Sequence, residues 1–81
     1  MRATLINEYP DDTFLFADGF DEAILGVDGS TMRVIYSVTK CIDILSKDMD
    51  DDEAVEYFEF NVSGAHVGEQ TPIWCYDNLD I

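Results

Sequence analysis

The stretch AILGVDGSTMRVIYSV, residues 23–38, decides the fold of this chain. It contains two apolar runs, Ala23–Val27 and Met32–Val38, on either side of Asp28-Gly29-Ser30. Val, Ile and Tyr fit the half-buried surface of a strand, and an Asp-Gly pair readily forms the turn between two strands. The stretch therefore predicts a β-hairpin, and the remaining elements are expected to pack around it.

A helix is predicted directly after the second strand. Ser37 or Thr39 can cap its N-terminus with a side-chain oxygen. The helix is expected to run to about Lys47, whose cation suits the negative end of the helix dipole. Apolar side chains at helical spacing predict that one face of this helix is buried. They are Val38, Cys41, Ile42 and Leu45.

A second helix is predicted from the aspartate run onward. Asp50 followed three residues later by Glu53 resembles a capping box, and acids in a first turn suit the positive end of the helix dipole. Glu53, Glu56 and Glu59 should face water, and Gly64 should stop the helix. The face expected to be buried carries Val55, Phe58 and Val62, flanked by Ala54 and Asn61.

The remaining segments complete a small domain. Residues 1–12 are expected to form an edge strand or a frayed tail, and Thr13–Ala17 a strand or a packed extended segment. Pro72–Tyr76 is a short apolar run in which proline can begin a strand. Residues 1–12 and 77–81 are expected to be mobile. The sequence thus predicts a single α+β domain over residues 1–81. Its small antiparallel sheet, the hairpin plus the C-terminal strand, is covered on one face by two helices.

The charge of the chain is strongly negative. It carries 18 Asp and Glu against 4 Lys and Arg, a net charge of −14. This charge disfavours direct binding to nucleic acid or to anionic membranes, and it favours basic partners. The acids gather in Glu8–Glu22 and Asp48–Glu59. Met1–Pro10 lacks the apolar run of a secretory signal, and no stretch is long enough to span a bilayer, so we expect a cytoplasmic protein.

Few residues suit catalysis. His66 is the only histidine, Cys41 and Cys75 are the only cysteines, and no Cys-x-x-Cys spacing exists. Neither a zinc site nor a Cys–His nucleophile pair is therefore expected, and the cysteines are more simply explained as reduced core thiols. The glycines do not form a phosphate-binding pattern. We expect a binding protein without a cofactor rather than an enzyme.

The aspartate run also has the spacing of a calcium-binding loop. Its positions one, three, five, seven and twelve are occupied by Asp48, Asp50, Asp52, Ala54 and Glu59. Glu53 stands where such a loop needs glycine for its tight turn, and Glu59 falls in a segment predicted to be helical. Helix capping explains the same acids without an ion and is favoured over calcium binding.

Parts of the sequence resemble a known group of proteins. Glu53–Val62 (EAVEYFEFNV) carries the resemblance most clearly, and Asp18–Val27 matches the same group. The resemblance extends over Asp18–Trp74 and includes Gly64-Ala65, Val67-Gly68-Glu69 and Thr71-Pro72-Ile73. The chain is similar here to small acidic proteins encoded by tailed bacteriophages. The resemblance implies expression inside an infected bacterium, and it brings no known reaction or binding site.

The second helix is the candidate binding surface. Tyr57 and Phe60 lie away from its predicted buried face, so they are expected either to be exposed together or to pack under a wider sheet. Trp74 on the last strand poses the same choice. Carboxylates on a rigid helix can stand in for backbone phosphates. The predicted partner-binding residues are Asp50, Asp51, Asp52, Glu53, Glu56, Tyr57 and Glu59.

Two functions follow as hypotheses. The first is an acidic phage protein in the host cytoplasm that occupies a basic surface of a bacterial protein. Such a protein could act as a nucleic-acid-mimicking inhibitor of a host defence or DNA-handling enzyme. The alternative is a structural or assembly accessory protein of the phage that acts as a homodimer or larger homo-oligomer, because a chain this short buries only a modest core.

Overall fold

The computed structural model describes residues 2–11, 14–62, 64 and 68–77. Its helices are α1 (Arg2–Glu8), α2 (Val38–Leu45) and α3 (Asp51–Tyr57), and its strands are β1 (Ile24–Val27), β2 (Val34–Ser37) and β3 (Ile73–Cys75). A 3₁₀ turn at Asp21–Ala23 precedes β1, and a π-helical turn at Phe58–Val62 continues α3. Within the described ranges the strands form one mixed sheet in the order β1-β2-β3. The predicted α+β class is confirmed.

The predicted hairpin is present, with β1 and β2 antiparallel. Ile24 pairs with Tyr36, and Val27 pairs with Val34. The register shifts once, which leaves Leu25 as the extra residue of a β-bulge. Val34 and Tyr36 are fully buried, whereas Leu25 is 42% exposed. The hairpin therefore presents one side of β2 to the core, as the alternation of side chains along a strand requires.

Asp28 closes the loop between β1 and β2. Its carboxylate accepts hydrogen bonds from the Ser30 hydroxyl at 2.9 Å and from the amide and hydroxyl of Thr31 at 2.9 and 2.6 Å. Its backbone N–H donates to the carbonyl of Arg33 at 2.8 Å. The bonds from Thr31 and Ser30 to the carboxylate, first of all the one from the Thr31 side chain, lower the pKa of the Asp28 carboxyl. An aspartate at this position thus satisfies several donors of the turn.

The sheet differs from the prediction in the direction of its last strand. β3 runs parallel to β2, with Ile73 opposite Ile35, so an antiparallel pairing of this strand is wrong. The chain between the two strands contains α2 and α3, and a connection of that length can return to the starting end of β2, as a parallel crossover requires. The Arg33 Nε–H donates to the Thr71 carbonyl at 2.5 Å, which joins the segments that lead into β2 and β3.

Ser37 rather than Thr39 caps α2 with its side chain. The Lys40 N–H donates to Ser37 Oγ at 3.1 Å, and the Ser37 hydroxyl donates to the Asp77 carboxylate at 2.5 Å. The other carboxylate oxygen of Asp77 accepts from the Thr39 N–H at 3.1 Å. These bonds, led by the one from Ser37, lower the pKa of Asp77. Asp77 therefore ties the chain after β3 to the first turn of α2.

Asp50 caps α3 as predicted, because the Glu53 N–H donates to its carboxylate at 2.8 Å. The buried face differs from the prediction. Ala54 and Phe58, one turn apart, are fully buried, whereas Val55 is 39% exposed, so the predicted burial of Val55 is wrong. The small side chain of Ala54 allows close approach to the core, and the π-helical turn that begins at Phe58 changes which side chains share a face.

The N-terminal segment is helical, so the predicted edge strand is wrong. Leu5 of α1 joins the core and is only 6% exposed. Arg2 lies over the ring of Phe16, with its Cζ 4.4 Å from the ring centroid, and its guanidinium is 3.6 Å from Asp18 and 3.4 Å from Asp21. α1 is therefore attached through one leucine and one arginine. It lacks the repeated apolar face that would mark a helix in the sequence.

The core is built around Tyr36, which is fully buried on β2. Its hydroxyl accepts a hydrogen bond from the Ala17 N–H at 2.7 Å, and burial raises its pKa. Phe14 and Phe16 pack against the core without joining the sheet, so residues 14–17 are a packed segment, while Thr13 lies outside the described residues. Other fully buried side chains are Ala23, Val34, Ser37, Val38, Cys41, Ala54 and Phe58.

Candidate partner-binding site

The predicted binding residues lie together on α3 and at its two ends. Asp50 is the N-cap, Glu59 belongs to the π-helical turn, and the others occupy α3 itself. All of their side chains are exposed. The structure thus places on one short helical segment the seven residues Asp50, Asp51, Asp52, Glu53, Glu56, Tyr57 and Glu59.

These carboxylates divide into those with and those without a structural contact. Asp50 caps the helix through its bond from the Glu53 N–H. Asp51 accepts a hydrogen bond from the Ser46 hydroxyl at 3.1 Å, which connects the start of α3 to the end of α2. Within the described part of the chain, three carboxylates of α3 make no hydrogen bond or ion pair: Asp52, Glu53 and Glu56.

The free carboxylates repel one another. Asp52 and Glu56 are four residues apart and are therefore neighbours on the helix surface, where a pair of like charges costs about 0.2–0.5 kcal/mol. Among the described residues, no Lys or Arg forms an ion pair that relieves this repulsion. Both ion pairs among the described residues involve Arg2, which holds Asp18 and Asp21. The three free carboxylates, Asp52, Glu53 and Glu56, thus form an uncompensated negative surface, which we call the acidic face.

The other described Lys and Arg side chains form no ion pair with the acidic face. Arg33 donates to the carbonyl before β3. Lys40 lies on α2 and Lys47 just after it, and both line a small cavity of about 290 Å³ together with Glu22 and Asp43.

An open groove of about 650 Å³ meets α3 at Tyr57, one helical turn after Glu53 of the acidic face. Its walls come from the segment 15–20, the end of α2, the α3 to π-helix junction and the start of β3. Tyr57, one of the predicted binding residues, lies on the groove as well as on α3. The groove could not be predicted from the sequence, because its walls are far apart along the chain. Principal apolar side chains on it are Leu15, Phe20, Leu45, Met49 and Trp74.

The aromatic residues next to the acidic face differ in exposure. Phe60 is 76% exposed and Tyr57 is 45% exposed. Of the two alternatives for this pair, exposure and packing under a wider sheet, the structure therefore shows exposure. Trp74 is half-buried, with its ring tilted against Tyr36 at 5.2 Å and edge-to-face with Phe58 at 5.3 Å. Tyr57 and Trp74 contribute to the groove, whereas Phe60 does not line it.

The described residues do not gather the groups of a metal site. No three His, Cys, Asp or Glu side chains among them are close enough to hold an ion. Asp51–Tyr57 is helical, so residues 48–59 do not form the alternative calcium loop.

Burial raises the pKa of the Cys41 thiol to about 12, and the charge of Asp77 acts in the same direction, which suppresses the nucleophilic thiolate. His66 lies outside the described residues.

Comparison with protein-family models, with curated proteins and with solved structures gave no significant match. In the residues that the structure describes, no helix has the length and apolar character needed to cross a membrane. The acidic face and the groove at Tyr57 are the features of the described residues that bear on function.

Proposed function

We propose that this chain is a phage-encoded acidic protein that binds a basic surface of a bacterial protein in the host cytoplasm. The observation that carries the proposal is the acidic face: Asp52, Glu53 and Glu56 are exposed, adjacent and without a cation in the described part of the chain. Lys or Arg side chains of a partner would remove the repulsion between these groups, and the net charge of −14 would speed the encounter.

The density of charge on α3 resembles that of nucleic acid. Four carboxylates occupy the seven residues DDEAVEY, which span about 10 Å of helix axis. One charge falls on every ~2.6 Å, between the ~1.7 Å per charge of duplex DNA and the ~3.4 Å of one strand. A groove that binds phosphates would therefore meet a similar field on α3. This supports an inhibitor of a host defence or DNA-handling enzyme as the specific form of the proposal.

Two charge variants with the same net charge test the proposal. The α3 variant carries Asp52→Asn, Glu53→Gln and Glu56→Gln, and it leaves the capping residue Asp50 intact. The control variant carries Glu8→Gln, Asp11→Asn and Asp43→Asn, all at exposed positions outside α3. Wild type and both variants are immobilised and exposed to nuclease-treated bacterial lysate at about 50 mM and then about 200 mM salt.

We expect basic proteins to be retained at low salt by wild type and by the control variant but not by the α3 variant. Raised salt or added duplex DNA should release them, because both compete for the same cations. Equal retention by the two variants would show that net charge alone, and not α3, accounts for binding. Retention that duplex DNA cannot reverse would contradict the nucleic-acid mimicry but not the binding of a basic surface.

The alternative, an assembly protein that acts as a homo-oligomer, has one specific observation in its favour. Phe60 is 76% exposed, and aromatic residues are enriched at protein–protein interfaces. Sedimentation or light scattering of wild type and Phe60→Ala over a range of concentrations tests it. A concentration-dependent oligomer that Phe60→Ala dissociates would favour this alternative, whereas a monomer at high concentration would exclude it.

A further inference from the structure

The groove beside the acidic face specifies what kind of segment a partner would insert. We infer that it receives an amphipathic segment of the basic partner, with apolar side chains inside and Lys or Arg at its rim. This inference rests on the proposed function and adds the chemistry of the bound segment. Tyr57 connects the two surfaces, because it belongs to α3 and lines the groove.

The lining of the groove selects apolar side chains. Its volume of about 650 Å³ falls within the ~300–1,000 Å³ of pockets that enclose drug-sized ligands, so more than one large apolar side chain fits. Leu45, Met49 and Trp74 line the groove together with the segment 15–20. Burial of aromatic or leucine side chains in such a groove supplies most of the energy of peptide-in-groove recognition.

The rim of the groove selects positive charge. Asp18 and Asp48 are the charged residues among those described as lining it, and no basic side chain is among them. The Asp18 side chain is 94% exposed, with Arg2 at 3.6 Å, whereas Asp48 is exposed and continues directly into the acids of α3. A second copy of this chain, also at −14, would bring further negative charge to this rim. Charge complementarity therefore favours a basic partner over self-association.

Trp74 provides a direct reporter, because it is the only tryptophan of the chain and lines the groove. The probe is a peptide of about 15 residues made of Leu and Lys, in which the leucines share one helical face. A scrambled peptide of the same composition, whose leucines are spread around the helix, is the control. We expect the ordered peptide to shift the Trp74 emission and to bind at least tenfold more tightly than the scrambled peptide.

Two aromatic substitutions locate the peptide. Tyr57→Ala removes a side chain from the groove, whereas Phe60→Ala removes a more exposed ring that does not line it. We expect Tyr57→Ala to weaken binding of the ordered peptide about tenfold, a loss of ~1.4 kcal/mol, and Phe60→Ala to leave it unchanged. Thermal unfolding of both variants checks that they remain folded.

The outcomes separate this inference from the proposed function. One outcome overturns the groove inference: both peptides bind equally, the Trp74 emission does not change, and only the α3 charge variant weakens binding. In that case the acidic face still binds cations. If the ordered peptide shifts Trp74 and the α3 charge variant binds it like wild type, the acidic face has no part and the proposed function fails. Dependence of the ordered peptide on both Tyr57 and the α3 carboxylates supports the two together.

Discussion

The ring of Trp74 meets the ring of Phe58 edge to face, with centroids 5.3 Å apart and an interplanar angle of 88°. This contact joins β3 to the helix that carries the acidic face. Trp74 also packs against Tyr36 at the centre of the sheet, with centroids 5.2 Å apart. Edge-to-face pairs add about 0.5–1.5 kcal/mol beyond the apolar area they bury. The three rings therefore connect the end of α3 to the sheet, and Trp74 among them lines the groove.

Phe58→Ala should destabilise the protein strongly. The side chain is fully buried, so its loss removes the contact with Trp74 and leaves a cavity, which costs about 3–5 kcal/mol. Phe60→Ala is the matched control on the same π-helical turn, and its exposed ring should change stability by less than about 0.5 kcal/mol. Urea unfolding measures both. Equal effects of the two substitutions would show that Phe58 does not occupy the core.

Asp50→Ala should lower the free energy of unfolding, measured by urea denaturation, by about 1 kcal/mol. The Glu53 N–H then loses its side-chain acceptor. Asp50→Asn keeps an oxygen at this position and should recover most of the loss. Asp52→Ala should stay within about 0.5 kcal/mol of wild type, since Asp52 makes no contact in the described part of the chain. If Asp50→Ala and Asp52→Ala lower stability equally, negative charge at this helix end, and not the capping hydrogen bond, stabilises the helix.

Interactions between residues that are close in sequence allowed much of the fold to be predicted. The Asp28 turn, the Ser37 cap and the Asp50 cap depend on neighbouring residues, so the sequence alone could place the hairpin and both helices. The direction of β3 could not be predicted in this way, because it depends on where a connection of two helices returns. α1 escaped prediction because Leu5 is its one buried residue, and a single apolar position has no period.

The candidate site was predictable only in part. The exposure of Glu53, Glu56 and Glu59 follows from their place on a helix whose other side is apolar. The sequence could not show which acids lack a hydrogen bond, since the bond from Ser46 to Asp51 depends on how α2 packs against α3. The groove depends on the packing of distant segments around Trp74 and was not predicted.

Cys41 should be inert to alkylation while the protein is folded. Its pKa is raised to about 12 by burial, so roughly one molecule in ten thousand carries the thiolate at pH 8. The Cys75→Ser variant leaves Cys41 as the one thiol. In this variant, iodoacetamide should react only as fast as the protein unfolds, and urea should accelerate the reaction. Alkylation at the rate of a free thiol without denaturant would contradict the burial.

Asp77→Asn should lower stability at neutral pH and lose its effect in acid. The hydrogen bond from Ser37 lowers the pKa of Asp77 in the folded state. A carboxylate with a lowered pKa stabilises the fold fully above its unfolded pKa, near 4, and this contribution disappears as pH falls through the folded pKa. The difference in unfolding free energy between wild type and Asp77→Asn should therefore shrink below about pH 4. Asp43→Asn, which removes the same charge from α2, corrects for the change in net charge. A difference that stays constant down to about pH 2 would show that the Asp77 carboxylate is not held by Ser37 and Thr39.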